Sequence, residues 1–252
     1  MPRTPLPDPD CTAPDDAEWA KLLTRDPALA DPNRLYRKLL APGPLILGRI
    51  AQTLDGRIAT ASGESFWISG PEDILHTHRL RALFDAVVVG AGTVRADDPL
   101  LTTRNCPGPS PVRVVIDTDR RLGDAYRLFA AAPRTVVVCA DDVPPKPSPR
   151  MADIMLVPRV LGGLDLAAVI AGLQARGLAR IFIEGGGLTV SRFLAAGLLD
   201  RLHVTIAPLL LGAGIPAFTL PGVSHPDQGL RVGWTVHRLG QDLLLDIPLA
   251  RT

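Results

Sequence analysis

Four short apolar runs most constrain what this chain can fold into. They are DAVVVGA (85–91), VRVVID (112–117), RTVVVCA (134–140) and ARIFIEGGG (179–187). Each is rich in valine or isoleucine. A strand apolar on both sides is buried on both sides, as in a parallel sheet covered by helices. Helix-patterned stretches lie between or beside the runs. GPEDILHTHRLRALF (70–84) has Pro71 in its first turn and places Ile74, Leu75, His78 and Leu83 on one broad face. LDLAAVIAGLQARG (164–177) ends at Gly177 as its C-cap, and TVSRFLAAGLLD (189–200) follows the glycines. LILGRIAQ (45–52) and RLHVTIAPLLL (201–211) add strands, and DIMLVP (153–158) is a weaker one. The end of the chain, RVGWTVHRLGQDLLLDIPL (231–249), reads as a hairpin turning at Gly240. The expected fold is α/β, with a mostly parallel central sheet and antiparallel C-terminal edge strands.

The first 44 residues are different. They are proline-rich and hold no sustained strand pattern. DDAEWAKLLTRD (15–26) reads as a short helix capped by Asp15 or Asp16, with Trp19, Leu22 and Leu23 on one face. RLYRKLLAPGP (34–44) reads as another. The expected division is an arm over 1–44 and a main domain over 45–252. The arm is an appendage packed on that domain, a lid or a subunit contact.

Composition excludes several classes. A net charge of +1 gives no general reason to expect nucleic acid. Cys11, Cys106 and Cys139 have no paired spacing, which argues against a disulfide framework and a zinc site and suits a reducing compartment. The opening MPRTPLPDPD has no apolar core like that of a signal peptide, and no apolar run is long enough to span a membrane. A soluble cytoplasmic protein is expected.

Two glycine stretches end strands. GAGTVR (90–95) lacks the third glycine of a dinucleotide fingerprint, because Arg95 stands there. It is a dinucleotide turn or a plain turn needing positive φ at Gly90 or Gly92. EGGG (184–187) is the better phosphate site, since backbone N–H groups and a helix N-terminus near Leu188 can meet an anion there. Its alternative is a flexible connection. Gripping two parts of one dinucleotide requires the two stretches to end neighbouring strands.

The remaining polar positions each carry two readings. Asp97 and Asp98 suit hydrogen bonding ahead of a metal. His76 and His78 face different ways on their helix as surface or packing residues, while His203 and His237 belong to the sheet. Asp55-Gly56 favours a tight turn. In SGESFWISG (62–70), Trp67 offers a flat face to a ring or plugs a gap. Arg81 and Arg104 can anchor a phosphate, or are solvated surface residues.

Together, AQTLDGRIATASGES-W (51–67), LRALFDAVVVGAGTVRADDPLLTTR (80–104), PVRVVIDTDRRL (111–122), IFIEGGG (181–187) and GLLDRLHVTIAPLLLGAG (197–214) resemble the reductase domain of bifunctional riboflavin-biosynthesis proteins and the related stand-alone pyrimidine reductases. The resemblance implies a dihydrofolate-reductase-like three-layer fold, NADPH as hydride donor and a homodimer. It implies reduction of a ribosylaminopyrimidine phosphate, as the deaminated uracil or the diaminopyrimidinone, to the ribitylamino form. Position by position, it implies that Ala51, Trp67, Thr93, Asp97 and Thr118 contact the nucleotide. Gly186, Gly187, Leu188, Thr189, Val190, Ser191 and Arg192 hold its phosphates. Ser65, Arg81, Leu101, Arg104 and Glu184 contact substrate, Glu184 also as the catalytic residue, and no metal is involved. Arg120 or Arg121 is the candidate partner of a 2′-phosphate. The chain departs from the family at Arg49, where the bifunctional proteins carry lysine. It also lacks the His-x-Glu and Pro-Cys-x-x-Cys patterns of their zinc deaminase. A pterin or folate reductase on the same fold, or a non-catalytic nucleotide binder, are the rival readings.

Overall fold

The computed structural model describes residues 14–24, 35–66, 68–130, 132–144 and 152–250. The arm supplies α1 (Asp16–Leu23) and α2 (Leu35–Leu39). Then come β1 (Leu45–Thr53), β2 (Arg57–Thr60), α3 (Pro71–Leu83), β3 (Ala86–Gly90), α4 (Ala91–Asp97), β4 (Val112–Ile116), β5 (Thr135–Ala140) and β6 (Ala152–Val157). The short pair β7 (Arg159–Val160) and β8 (Gly163–Leu164) precedes α5 (Leu166–Gln174), β9 (Arg180–Glu184) and α6 (Gly187–Ala195). The chain ends with β10 (Arg201–Ala207), β11 (Gly214–Pro216), β12 (Thr235–Leu239) and β13 (Asp242–Pro248).

The main sheet runs β12-β13-β10-β1-β9-β3-β4-β5-β6. From β10 to β6 every pairing is parallel. Only the β12–β13 hairpin and its junction with β10 are antiparallel. This is the expected architecture. Strand residues alternate between two cores, as a side-chain period of two requires. Ile46, Val88, Ile181 and Ile183 meet α5 and α6 through Val169, Leu173, Val190 and Phe193. Leu47, Val87, Val89 and Phe182 face the other way, toward Leu80 and Leu83 of α3 and Trp19, Tyr36 and Leu39 of the arm. Helices therefore cover both faces. All six residues of β5 are buried, which is why that strand shows no alternation of polarity.

Two expectations change. GAGTVR is a strand end followed at once by α4, and neither Gly90 nor Gly92 has positive φ. The face assigned to α3 is wrong at Ile74, which is 43% exposed, while Asp73, His76, Thr77, Arg79 and Arg81 are buried. The helix is enclosed by the sheet, the arm and the cavity described below, so its polar residues find partners inside. The strand β2, pairing with β11, had no clear signal in the sequence. Asp15, rather than Asp16, caps α1, in a reciprocal capping box with Glu18.

Candidate active site

The two glycine stretches do end neighbouring strands, β3 and β9. They also interlock. A Cβ on Gly90 would lie 2.6 Å from Thr189 Oγ1, and one on Gly186 would lie 2.8 Å from Thr93 Oγ1. Each stretch thus makes room for a threonine of the other. Gly185 and Gly186 take φ of 67° and 58°, which favours glycine, and lead into the N-terminus of α6. A Cβ on Gly187 would press on the Ala217 carbonyl oxygen at 2.5 Å. The backbone at 185–187 is therefore bare, and the helix N-terminus places unpaired N–H groups and partial positive charge beside it.

This cradle opens into a cavity of about 990 Å³. Ala51, Ser65, Arg81, Thr93, Asp97, Leu101, Arg104, Thr118 and Glu184 line it, with Gly186, Gly187, Leu188, Thr189 and Arg192 of the α6 end. Val190 and Ser191 do not line it. Both are fully buried: Val190 lies in the core, and Ser191 Oγ accepts a hydrogen bond from the Thr219 N–H. They follow the first turn of α6, and their side chains rotate away from the cradle. Trp67 lies outside the described residues. Its neighbour Phe66, 77% exposed, lines the cavity and was not singled out in the sequence. Arg121 lines the cavity too, paired with Asp119 at 3.1 Å, whereas Arg120 does not line it.

One half of the cavity is built around α3. Arg81 donates to Glu184 through Nε (2.8 Å) and Nη2 (2.5 Å), and its Nη1 donates to the Thr102 carbonyl at 3.0 Å. Burial alone would push the Glu184 carboxyl up. The fork of Arg81, with Arg49 nearby, overrides burial and holds it below the ordinary carboxylate range. Glu184 is therefore a charged acceptor at neutral pH. Arg49 stands opposite Glu184 in the β1–β9 register and ion-pairs with Asp73, which also accepts from Thr205 Oγ1 at 2.7 Å. Burial opposes ionisation of Asp73, and Arg49 again wins, keeping its carboxyl low. Among the described residues, the Arg49 Nε has no hydrogen-bond partner.

His78 accepts the Arg104 backbone N–H on Nδ1 at 2.9 Å. Burial, then Arg81 and Arg104, push it down to about 4, so it is neutral. Burial raises the Asp97 carboxyl. Asp98 instead accepts the Arg127 N–H at 2.8 Å, a structural bond. No group of three or more His, Cys, Asp or Glu side chains suited to a metal occurs among the described residues. Asp55 does more than turn the chain: it accepts from Thr53 Oγ1 and the N–H groups of Leu211 and Gly212, which lowers it to about 2.

Sequence reasoning missed Asp73 and Arg49 as site-builders and left His78 as a packing or surface residue. Asp73 and His78 showed only as polar residues on a helix otherwise expected to pack by its apolar face, and Arg49, on β1, only as a departure from the family's lysine.

The glycine cradle fits a dinucleotide diphosphate, because Gly185 and Gly186 lead a backbone without side chains into the N-terminus of α6 at the cavity wall. The opposite half, with Arg81 and Arg104 at its wall, fits a second anionic group.

The model of the RibD C-terminal domain family matches residues 44–242. A Methanothermobacter thermautotrophicus protein named 2,5-diamino-6-ribosylamino-4(3H)-pyrimidinone 5′-phosphate reductase is 36% identical over 214 residues, covering 81% of this chain and 97% of that one. The riboflavin biosynthesis protein RibD of Aquifex aeolicus is 32% identical, with 80% of this chain and 57% of the relative covered. The chain thus spans little more than half the length of that RibD relative. Among solved structures, the Thermotoga maritima deaminase/reductase superposes with a TM-score of 0.70 at 25% identity, over 86% of this chain and 58% of that one. The Saccharomyces cerevisiae riboflavin biosynthesis reductase Rib7 shares the fold, with a TM-score of 0.65 at 24% identity, over 82% of this chain and 90% of that one. With a match across most of its length and the strand-end glycine cradle in place, this chain belongs to the RibD C-terminal domain family.

Proposed function

We propose that this chain reduces a phosphorylated ribosylaminopyrimidine to its ribitylamino form, as a nicotinamide-dependent reductase of riboflavin biosynthesis. The observation that carries the reading is one cavity with two unlike halves. A glycine cradle at the end of β9 meets a pocket wall of Arg81, Arg104 and Glu184.

When bound, the reduced nicotinamide dinucleotide supplies a hydride. Gly186, Gly187, Leu188, Thr189 and Arg192 hold its diphosphate, while Val190 and Ser191 anchor α6 behind them, in the core and to Thr219. Ala51, Thr93, Asp97 and Thr118 contact the nucleotide, and Trp67 is assigned a place beside its ring. Arg121, at the cavity edge after β4, is the partner we assign to a 2′-phosphate, which selects NADPH. Arg104 takes the substrate phosphate. Arg81 is already committed on two sides to Glu184, so its part is to keep that carboxylate charged and fixed, with its outer face toward the substrate. Ser65 and Leu101 border the sugar. The sugar ring opens to an imine, its ring oxygen leaving as a hydroxyl. Carbon 1 then gains the hydride and the nitrogen gains a proton. Glu184 orients the pyrimidine by accepting its amino hydrogens. Holding carbon 1 in reach of the hydride is what the chain contributes to rate.

We assign residues 45–252 to the reductase domain and 1–44 to an arm. Exposed Leu210, Leu220, Val223, Leu230 and Trp234 support a homodimer. No described helix is long and apolar enough to cross a membrane. The free thiols of Cys106 and Cys139 suit the cytoplasm.

The test is NADPH oxidation, followed by absorbance, with the ribosylaminouracil phosphate and separately with its diamino counterpart. Oxidation with either supports the reading, and the preferred one fixes the substrate. Oxidation only with a pterin or dihydrofolate would replace the substrate. Arg104→Ala should raise the substrate KM about tenfold or more, as loss of a charged hydrogen bond does, with the nucleotide KM unchanged.

A further inference from the structure

We infer that the N-terminal arm completes the substrate half of the site, and that Trp19 is a positioning residue for Arg104. The inference rests on the reading above for its kinetic consequence, and on geometry alone for the brace itself. The family match begins at residue 44, so the arm lies outside it.

Arg104 sits on a segment without helix or strand, residues 98–111. That segment carries backbone conformations that need holding. Leu101 has φ of 54° and is 1% exposed, and Asp98 has φ of 38°. The segment is tied on its inner side by α3. Arg81 donates to the Thr102 carbonyl, and His78 accepts the Arg104 N–H. Its outer side is tied by α1. Trp19 Nε1 donates to the Pro107 carbonyl at 2.8 Å. Between these ties the backbone at Gly108 is pressed flat: a Cβ there would meet Ala82 Cβ of α3 at 2.6 Å and Leu23 Cδ1 of α1 at 3.6 Å. The Arg104 segment is thus clamped between a helix that builds the site and a helix of the arm.

Trp19 is itself fixed. It is fully buried, edge-on to Tyr36 at 5.2 Å between ring centroids, with the Arg79 guanidinium 5.2 Å from its ring. Arg79 lies on α3 between His78 and Leu80 and donates to the Pro14 carbonyl. The arm therefore grips the back of the helix whose front carries Asp73, His78 and Arg81. A tryptophan held this way presents its N–H in one place, and the Pro107 carbonyl is where it lands.

The experiment uses the full chain with Trp19→Phe, which keeps an aromatic ring against Tyr36 and Arg79 but removes the N–H. Leu23→Ala is the second variant, loosening the same clamp at Gly108 should Trp19→Phe fail to fold. Amide hydrogen exchange, without any ligand, should quicken about tenfold over residues 102–108 and stay unchanged in β1, β3 and β9. The KM for the phosphorylated substrate should rise about fivefold, the equivalent of one lost hydrogen bond, with kcat and the nucleotide KM within about twofold. The dephosphorylated substrate should show no change in KM, and in an Arg104→Ala background Trp19→Phe should add nothing. Unchanged exchange at 102–108 would overturn the brace. Faster exchange throughout the sheet, or an equal KM rise with and without the phosphate, would make the arm a general stabiliser and overturn the positioning role. A wild-type chain that reduces neither pyrimidine would defeat the function reading, while the exchange experiment still decides the brace.

Discussion

Glu184 and Arg81 are a buried pair whose side chains keep only 12% and 9% of their exposure. Neither charge is tolerable there alone. The depressed carboxyl of Glu184 has a definite sign in stability. It favours the folded state at pH above the unfolded carboxylate range and loses that contribution as pH falls through the folded value. Asp73 and Asp246 add in the same direction, Asp246 because its neighbours His203 and then Arg201 offset its burial. Stability should therefore fall steeply on acidification below about pH 4. Arg81→Met should cost about 3–5 kcal/mol at neutral pH, because it leaves a buried carboxylate with its main partner gone. It should also invert the local dependence. With the partner lost, burial dominates and raises the Glu184 carboxyl, so the variant should regain stability as pH drops from about 8 toward 5. Denaturation midpoints across that range decide the matter, and parallel curves for wild type and variant would show that Arg81 does not set the charge of Glu184.

At the scale of elements, the site depends on two strand ends that fit each other. Gly90 and Thr189 are far apart in the chain, yet the β3–β9 pairing brings them into contact. Gly90→Ala should cost about 1–3 kcal/mol by overpacking. The obstructing atom is Thr189 Oγ1 at 2.6 Å, while Thr189 Cβ stands 4.0 Å away at ordinary contact. Thr189→Ala in the same chain should therefore return most of that loss, and thermal unfolding of the single and double variants measures the return. If the double variant is as unstable as the sum of the singles, the interlock is not the reason for glycine. This also marks what sequence can reveal. The two glycine stretches, their strand ends and the parallel sheet were legible, because apolar runs and punctuation are local. The reason for Gly90 was not, because it is a tertiary close approach and not a backbone angle. The α3 face was misjudged for a related reason. Periodicity assumes that polar residues seek water, and Asp73, His76 and Arg79 instead find partners in other elements.

For the whole molecule, the arm is joined to the sheet by a line of buried polar groups. Tyr36 Oη lies 2.8 Å from His76 Nδ1, His76 Nε2 lies 3.1 Å from His203 Nδ1, and His203 Nε2 lies 3.3 Å from Asp246. Burial keeps both imidazoles neutral. Tyr36 and His76 share one hydrogen bond and His76 and His203 another, while His203 Nε2 faces Asp246 without a hydrogen bond among the described residues. Lys38 of α2 reaches the same Asp246 at 3.3 Å. The arm thus reaches β10 through Tyr36 and His76, and β13 through Lys38. The sequence placed Trp19 and Tyr36 in short helices and offered lid, appendage or subunit contact as their role; these bonds favour an integral layer. Tyr36→Phe removes one hydroxyl and leaves His76 Nδ1 buried without its partner, a loss of about 1–3 kcal/mol. Because the chain of bonds crosses from arm to sheet, the loss should lower the whole unfolding transition and not detach the arm. Urea unfolding followed by tryptophan fluorescence and by far-ultraviolet dichroism should give coincident midpoints in both proteins, shifted together by the substitution. An arm that unfolded first, at a lower urea concentration in the wild type, would mean that these bonds decorate the interface and do not hold it, because a layer that shares its buried donors with the sheet has no lower-energy way to leave.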